Sequence, residues 1–135
     1  MKTEEHVEQV RLMQWWHLQC NAFGVLEELL FAIPNGGLRN AITAARLKDE
    51  GVRAGVPDLF LAYPGRYGGR GLFIEMKKQN GGRLSNMQSS MLYNLANVGF
   101  HVAVCHGWIE AKDAIEAYLR GDLSKFEGPK KAHLN

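Results

Sequence analysis

Long apolar runs are missing from this 135-residue chain. No stretch approaches the ~18 uncharged apolar residues of a membrane-spanning helix, and none follows a secretory signal pattern, so a cytoplasmic setting is expected. Cysteine is scarce as well. Cys20 and Cys105 lack metal-ligand spacing and are expected as reduced core residues. The five histidines show no pairing such as H-E-x-x-H, which argues against a zinc site. No glycine-rich segment has the spacing and strand-to-helix setting of a nucleotide-binding loop. Nothing reads as a recognition-helix or zinc-finger module, so sequence-specific reading of DNA is not expected. A hydrophobic content of 46% and a length of 135 residues suit one core rather than two. The expected layout is one domain over residues 1–121 and a loosely ordered tail over 122–135.

Net charge is only +2, but its distribution is uneven. Residues 39–83 hold nine Lys/Arg against four Asp/Glu, whereas residues 1–38 hold two against five and residues 84–135 balance at five each. A basic surplus of +5 therefore sits in the middle third. Clustering of this kind suits a phosphate-binding surface, and equally a merely solvated face.

That middle third contains the organising stretch, residues 55–77: GVPDLFLAYPGRYGGRGLFIEMK. Two apolar runs, residues 59–62 and 72–76, flank a Pro- and Gly-rich segment, which predicts a β-hairpin. With the turn centred on Arg66 and Tyr67, antiparallel pairing sets Ala62 beside Gly71 and Asp58 beside Glu75. Alternation along the strand puts Glu75 and Lys77 on one face and Leu72, Ile74 and Met76 on the other. Two carboxylates and one ammonium group then converge. Converging carboxylates repel, and desolvating them is costly without a cation. A hard divalent ion takes one or two carboxylates, waters and phosphate oxygens. Such an ion can polarise a phosphodiester and activate water, and Lys77 is placed to stabilise developing charge or position that water. Metal-dependent phosphodiester hydrolysis is the chemistry this pattern suits.

Pro57-Asp58 followed by Glu75-Met76-Lys77 matches the PD-(D/E)xK nuclease signature. More narrowly, IPNGGLR (33–39), GVRAGVPDLFL (51–61), GLFIEMK (71–77) and LSNMQ (84–88) resemble the virus-type replication-repair nuclease domain, VRR-NUC, of the stand-alone phage or bacterial type. The likeness spans roughly residues 5–107. Four motifs in order are far more specific than a bare PD…ExK. The resemblance implies an α/β fold with a restriction-endonuclease-like core, a mixed central sheet flanked by helices. It implies Mg²⁺ or Mn²⁺ held by Asp58, Glu75 and the backbone carbonyl of Met76. Lys77 would assist the water, and an acid of the first helix would complete the cluster through metal or water. The E-x-x-E-Q-x-x-L-x-x-W pattern favours Glu5 for that acid, with Glu8 the other candidate; both also read as ordinary first-turn acids. Gln88 falls at the site's periphery. Asn35, Arg39, Arg53, Lys78 and Arg83 are candidates to touch DNA. Small relatives imply a homodimer acting on branched DNA such as a Holliday junction. The alternatives are a monomeric flap or nicking nuclease, or a non-catalytic nucleic-acid-binding module. The last predicts a lost metal ligand or lysine, and all three stand here.

The remaining chain predicts a helix over residues 4–20, capped by Thr3, and a short helix over 25–30. A brief strand follows over 31–33, then a turn at Asn35-Gly36-Gly37 and a helix over 40–50 closed by Gly51. Ser85 and Gln88 form a capping-box pattern opening a helix through Val98, its apolar stripe expected from Met91, Leu95 and Val98. A strand over 100–105 and a helix over 109–120, closed by Gly121, complete the order.

Overall fold

The computed structural model describes residues 3–34 and 41–122, together with Ser124 and Phe126. Asn35 and Arg39, with the tail residues Lys125, Lys130 and Lys131, lie outside the described residues. Helix α1 (Thr3–Gln19) leads through two short 3-10 turns, Cys20–Phe23 and Glu27–Leu29, into strand β1 (Leu30–Ala32). Helix α2 (Ala41–Asp49) precedes a hairpin of β2 (Leu59–Leu61) and β3 (Leu72–Lys77). Helix α3 (Asn86–Asn97), strand β4 (His101–His106) and helix α4 (Trp108–Arg120) close the order. The short helix expected over 25–30 is a single 3-10 turn, and Thr3 is the first helical residue rather than a residue before it.

The four strands form one mixed sheet in the order β1-β2-β3-β4, antiparallel at the first two interfaces and parallel at the last. Leu59 pairs with Ile74 and Leu61 with Leu72. Continued by one pair at each end, this register sets Asp58 opposite Glu75 and Ala62 opposite Gly71, as the sequence predicts. A 3-10 turn at Arg66–Gly68 makes the hairpin's tip. Its glycines have a packing reason: a Cβ on Gly65 would sit 2.6 Å from the Tyr118 ring, whose hydroxyl donates to the Tyr63 carbonyl at 2.7 Å. The loop is docked on α4, not free.

One sheet face carries Leu59, Leu61, Leu72, Ile74 and Met76, all fully buried. Leu12 and Trp16 of α1 and Ala111, Ile115 and Tyr118 of α4 cover it. Each such large apolar side chain contributes roughly 1.5–3 kcal/mol through burial. Trp16 also donates its indole N–H to the Glu27 carbonyl at 2.8 Å and stacks on Phe23, so it is a core anchor. Cys20 and Cys105 are buried free thiols, and burial pushes the Cys105 thiol up to about 12.

One expectation, the apolar stripe of α3, shifts. Leu92 is the buried residue of α3, Met91 and Leu95 are half-buried, and Val98 is 60% exposed. The helix packs through the face that carries Gln88, and Leu92 lies one turn along that face. In the tail, Phe126 packs edge-on against His101 and Tyr118, so at least this residue finds apolar cover.

Candidate active site

The site begins with a hairpin that outruns its own pairing. β2 starts at Leu59, so Asp58 lies just beyond the ladder, and its Oδ2 accepts the Met76 backbone N–H at 2.7 Å. On a strand, the N–H and C=O of one residue point to the same edge. The Met76 carbonyl therefore faces the edge where Asp58 stands. Glu75, one residue earlier, is 3% exposed, and Lys77 is 8% exposed. Both lie on the sheet face away from the Leu72–Ile74–Met76 stripe, as alternation requires.

Gln88 joins them. Its Oε1 accepts from Lys77 Nζ at 3.2 Å, and its Nε2 donates to Glu75 Oε2 at 3.2 Å. The same Oε1 accepts the Ser85 N–H at 2.9 Å, while the Gln88 N–H donates to Ser85 Oγ at 3.1 Å, completing the capping box. One amide thus caps α3 and orients two site residues. Lys77 Nζ is also 3.7 Å from Glu75 Oε2.

Gly55 brings α3 close enough. A Cβ there would stand 2.5 Å from the Met87 carbonyl oxygen and 3.0 Å from the Gln88 nitrogen, and its φ of +86° favours glycine. The loop that delivers Asp58 therefore lies directly on the first turn that delivers Gln88.

The electrostatics are those of an unfinished site. Burial, then the neighbouring Asp58 charge and hydrogen bond, push the Glu75 carboxyl up to about 8, although Lys77 pulls it down. Asp58 is also raised, chiefly by burial, against the lowering effect of the Met76 N–H and the hydrogen bond to Glu75. Burial and mutual repulsion disfavour ionising both carboxyls together, and the Lys77 ammonium offsets this only in part. Two buried carboxyls and a backbone carbonyl form an oxygen-only donor set, which suits a hard divalent ion that completes its shell with water and phosphate. These residues fit such an ion.

The acids of α1 separate cleanly. Glu8 is 5% exposed and fully engaged: Oε1 accepts from Gln79 Nε2 at 2.7 Å, and Oε2 accepts the Trp108 N–H at 3.1 Å. It caps α4, whose N-cap position is Gly107 with no side-chain acceptor. Glu5 is half-exposed, and its charge raises both Asp58 and Glu75. Among the described residues, no group of three or more His, Cys, Asp or Glu side chains is close enough to hold a metal. The charge of Glu5 is therefore felt by the pair without the three acids forming a ready-made ligand group. Glu8's partners, Gln79 and the α4 amide, escaped the sequence reading. The available signal was a helix starting after Gly107 with no local cap.

Of the DNA-contact candidates, Arg53 and Arg83 are exposed, and Lys78 is half-buried with its Nζ 4.0 Å from Glu4 Oε2. Among the described residues, none of the three makes a hydrogen bond or ion pair to Asp58, Glu75, Lys77 or Gln88.

Comparison with known proteins agrees with this geometry. The VRR-NUC domain profile matches residues 1–108. A solved structure described as a VRR_NUC domain protein is 26% identical, with a TM-score of 0.73, covering 89% of this chain and 91% of its own. No curated protein matches in sequence. The chain belongs to the VRR-NUC family, nucleases of the PD-(D/E)xK type.

Proposed function

We propose that the protein is a divalent-metal-dependent endonuclease that hydrolyses phosphodiester bonds in branched DNA, four-way junctions first, as a homodimer in the cytoplasm (that of the host, if it is phage-encoded). The observation that carries this is the network joining Asp58, Glu75, Lys77 and Gln88 at one end of the sheet. Asp58, Glu75 and the Met76 carbonyl would hold Mg²⁺ or Mn²⁺. When bound, such an ion polarises the phosphodiester and lowers the pKa of an attacking water. Lys77 holds its ammonium group at the acid pair and supplies a hydrogen-bond donor to developing negative charge. Gln88 keeps Lys77 and Glu75 in register. Glu5 would complete the acidic cluster through metal or water. Arg53, Lys78 and Arg83, with Asn35 and Arg39, would hold flanking phosphates.

The branched-DNA preference rests on the likeness to small stand-alone nucleases carried by the motifs at residues 33–39, 51–61, 71–77 and 84–88. Homodimerisation follows from the substrate: two symmetric cuts need two sites related by a two-fold axis. Cleavage of labelled four-way junction, flap and linear duplex, with Mg²⁺, Mn²⁺ or EDTA, tests the whole reading. Metal-dependent, symmetric junction cutting, lost in Lys77→Ala, is expected. Cutting of flaps or duplex alone would replace the junction with a monomeric flap or nicking activity. Tight DNA binding without cleavage under either metal would leave a non-catalytic binding module.

A further inference from the structure

The face that carries Glu75 and Lys77 also carries a row of phenylalanines. Phe31 pairs with Phe60 across β1 and β2, and Phe60 pairs with Phe73 across β2 and β3. Cross-strand partners share a face, so the three rings cross the sheet in line. Phe60 and Phe73 stack with centroids 4.2 Å apart, and Phe31 meets Phe60 edge-on at 5.9 Å. The next pair on these two strands, on the same face, is Asp58 and Glu75. Two residues of strand separate the rows, roughly 7 Å.

Among the described residues, no helix is packed across this row. Phe31 is 43% exposed, and Phe60 and Phe73 are half-buried, because α1 and α4 cover the other face and α3 lies against β4. Gly71 lets the Phe60 ring lie low: a Cβ there would be 2.6 Å from two of its ring carbons. At the far end, Phe100 closes the row edge-on against Phe60 and Phe73, and the Arg70 side chain lies beside neighbouring Gly99. An acid pair for the reacting phosphate, flat rings beside it and a guanidinium beyond match one nucleotide and its neighbour.

We infer that the Phe31–Phe60–Phe73 row is a stacking shelf for an unpaired base of the strand being cut, next to the scissile phosphate. Every base has a π-face, so the shelf reads whether a base is free rather than which base it is. A base held in a duplex cannot leave its neighbours without an unstacking cost, whereas a base at a branch point or flap has already lost them. The shelf gives the site a preference for branched DNA without a recognition helix, and it stands on the nuclease function proposed above.

A cycle between ring and base tests it. Substrates carry a base or an abasic residue at the unpaired position beside the cut, and the protein is wild type, Phe31→Ala, Phe60→Leu or Phe60→Trp. Binding is read with Ca²⁺ in place of Mg²⁺, using 2-aminopurine at that position, and circular dichroism checks folding. Removing the base from the wild-type complex should weaken binding on the order of tenfold. The same removal should cost Phe31→Ala and Phe60→Leu far less, and Phe60→Trp should keep the wild-type response and the fluorescence quench. Equal losses in all proteins would overturn the shelf while leaving the nuclease intact. Failure of the wild type to cut any DNA would overturn the nuclease reading, and the 2-aminopurine arm would still decide the shelf. Loss of dimerisation in Phe31→Ala with no change in the DNA readout would assign the rings to a second copy and overturn it as well.

Discussion

At the scale of single residues, Gln88 shows how one side chain serves fold and site together, and how the two uses can be separated. Its amide oxygen serves the capping box and Lys77, while its amide nitrogen serves Glu75. Gln88→Ala removes both and should cost about 1 kcal/mol of stability as well as activity. Gln88→Glu keeps a residue that completes a capping box but sets a third carboxylate against Glu75. It should therefore keep α3 capped while the added charge lowers stability at neutral pH and cleavage falls roughly a hundredfold; wild-type activity would reduce Gln88 to a cap. The α1 acids should divide in the opposite way. Glu8→Ala leaves the Trp108 N–H and Gln79 without their acceptor and should lower stability by about 1–3 kcal/mol, with the remaining folded protein still cutting. Glu5→Gln should leave urea unfolding unchanged and alter the metal concentration needed for cleavage. Two residues three apart on one helix are thus told apart by what they touch, which no spacing in the sequence reveals.

Among elements, the decisive contact is between the loop before β2 and the first turn of α3. Gly55→Ala should be costly beyond the strain of its positive φ, because its Cβ would meet backbone atoms of Met87, which cannot rotate away. Gly68 also has a positive φ but nothing within 4 Å of a Cβ. Gly68→Ala should therefore cost only the backbone strain, roughly 1–2 kcal/mol, and spare activity, whereas Gly55→Ala should move Asp58 away from Gln88 and lose both stability and cleavage; urea unfolding and cleavage of the two side by side check it. The hairpin itself was legible because period-2 alternation and a Gly-rich turn leave one register that buries Leu72, Ile74 and Met76. The face of α3 was less so. Met91, Leu95 and Val98 make a plausible stripe by composition, but Gln88 is held by a site formed from other segments, and that turns Leu92 inward instead. The phenylalanine row escaped notice for a related reason: Phe31, Phe60 and Phe73 are far apart in sequence, and only the pairing of three strands brings them into line.

For the whole molecule, the acid pair couples stability to pH and to metal. The Glu75 carboxyl ordinarily titrates near 4.5 and is pushed up to about 8 in the fold. Between those values, the metal-free native state keeps a proton that the unfolded chain has released. The stabilisation is therefore complete below the lower value and is lost as pH rises through the upper one. Each unit inside that window is worth up to about 1.4 kcal/mol for one proton, shared with the coupled Asp58. On the acid side, burial lowers the His101 pKa from its ordinary 6.5, so its contribution is present above 6.5 and is lost as pH falls through the folded value. A divalent cation should reverse the alkaline loss, since it binds the ionised pair and displaces the retained proton. Urea unfolding in EDTA should show lower stability at about pH 8.5 than at about pH 6.5, and Mg²⁺ should restore more at the higher pH. Glu75→Gln cannot ionise, so in EDTA it should be nearly flat over that interval and more stable than the wild type at the alkaline end. If wild type and variant instead follow the same curve, Glu75 ionises freely in the fold, and the acid pair is not waiting for a cation.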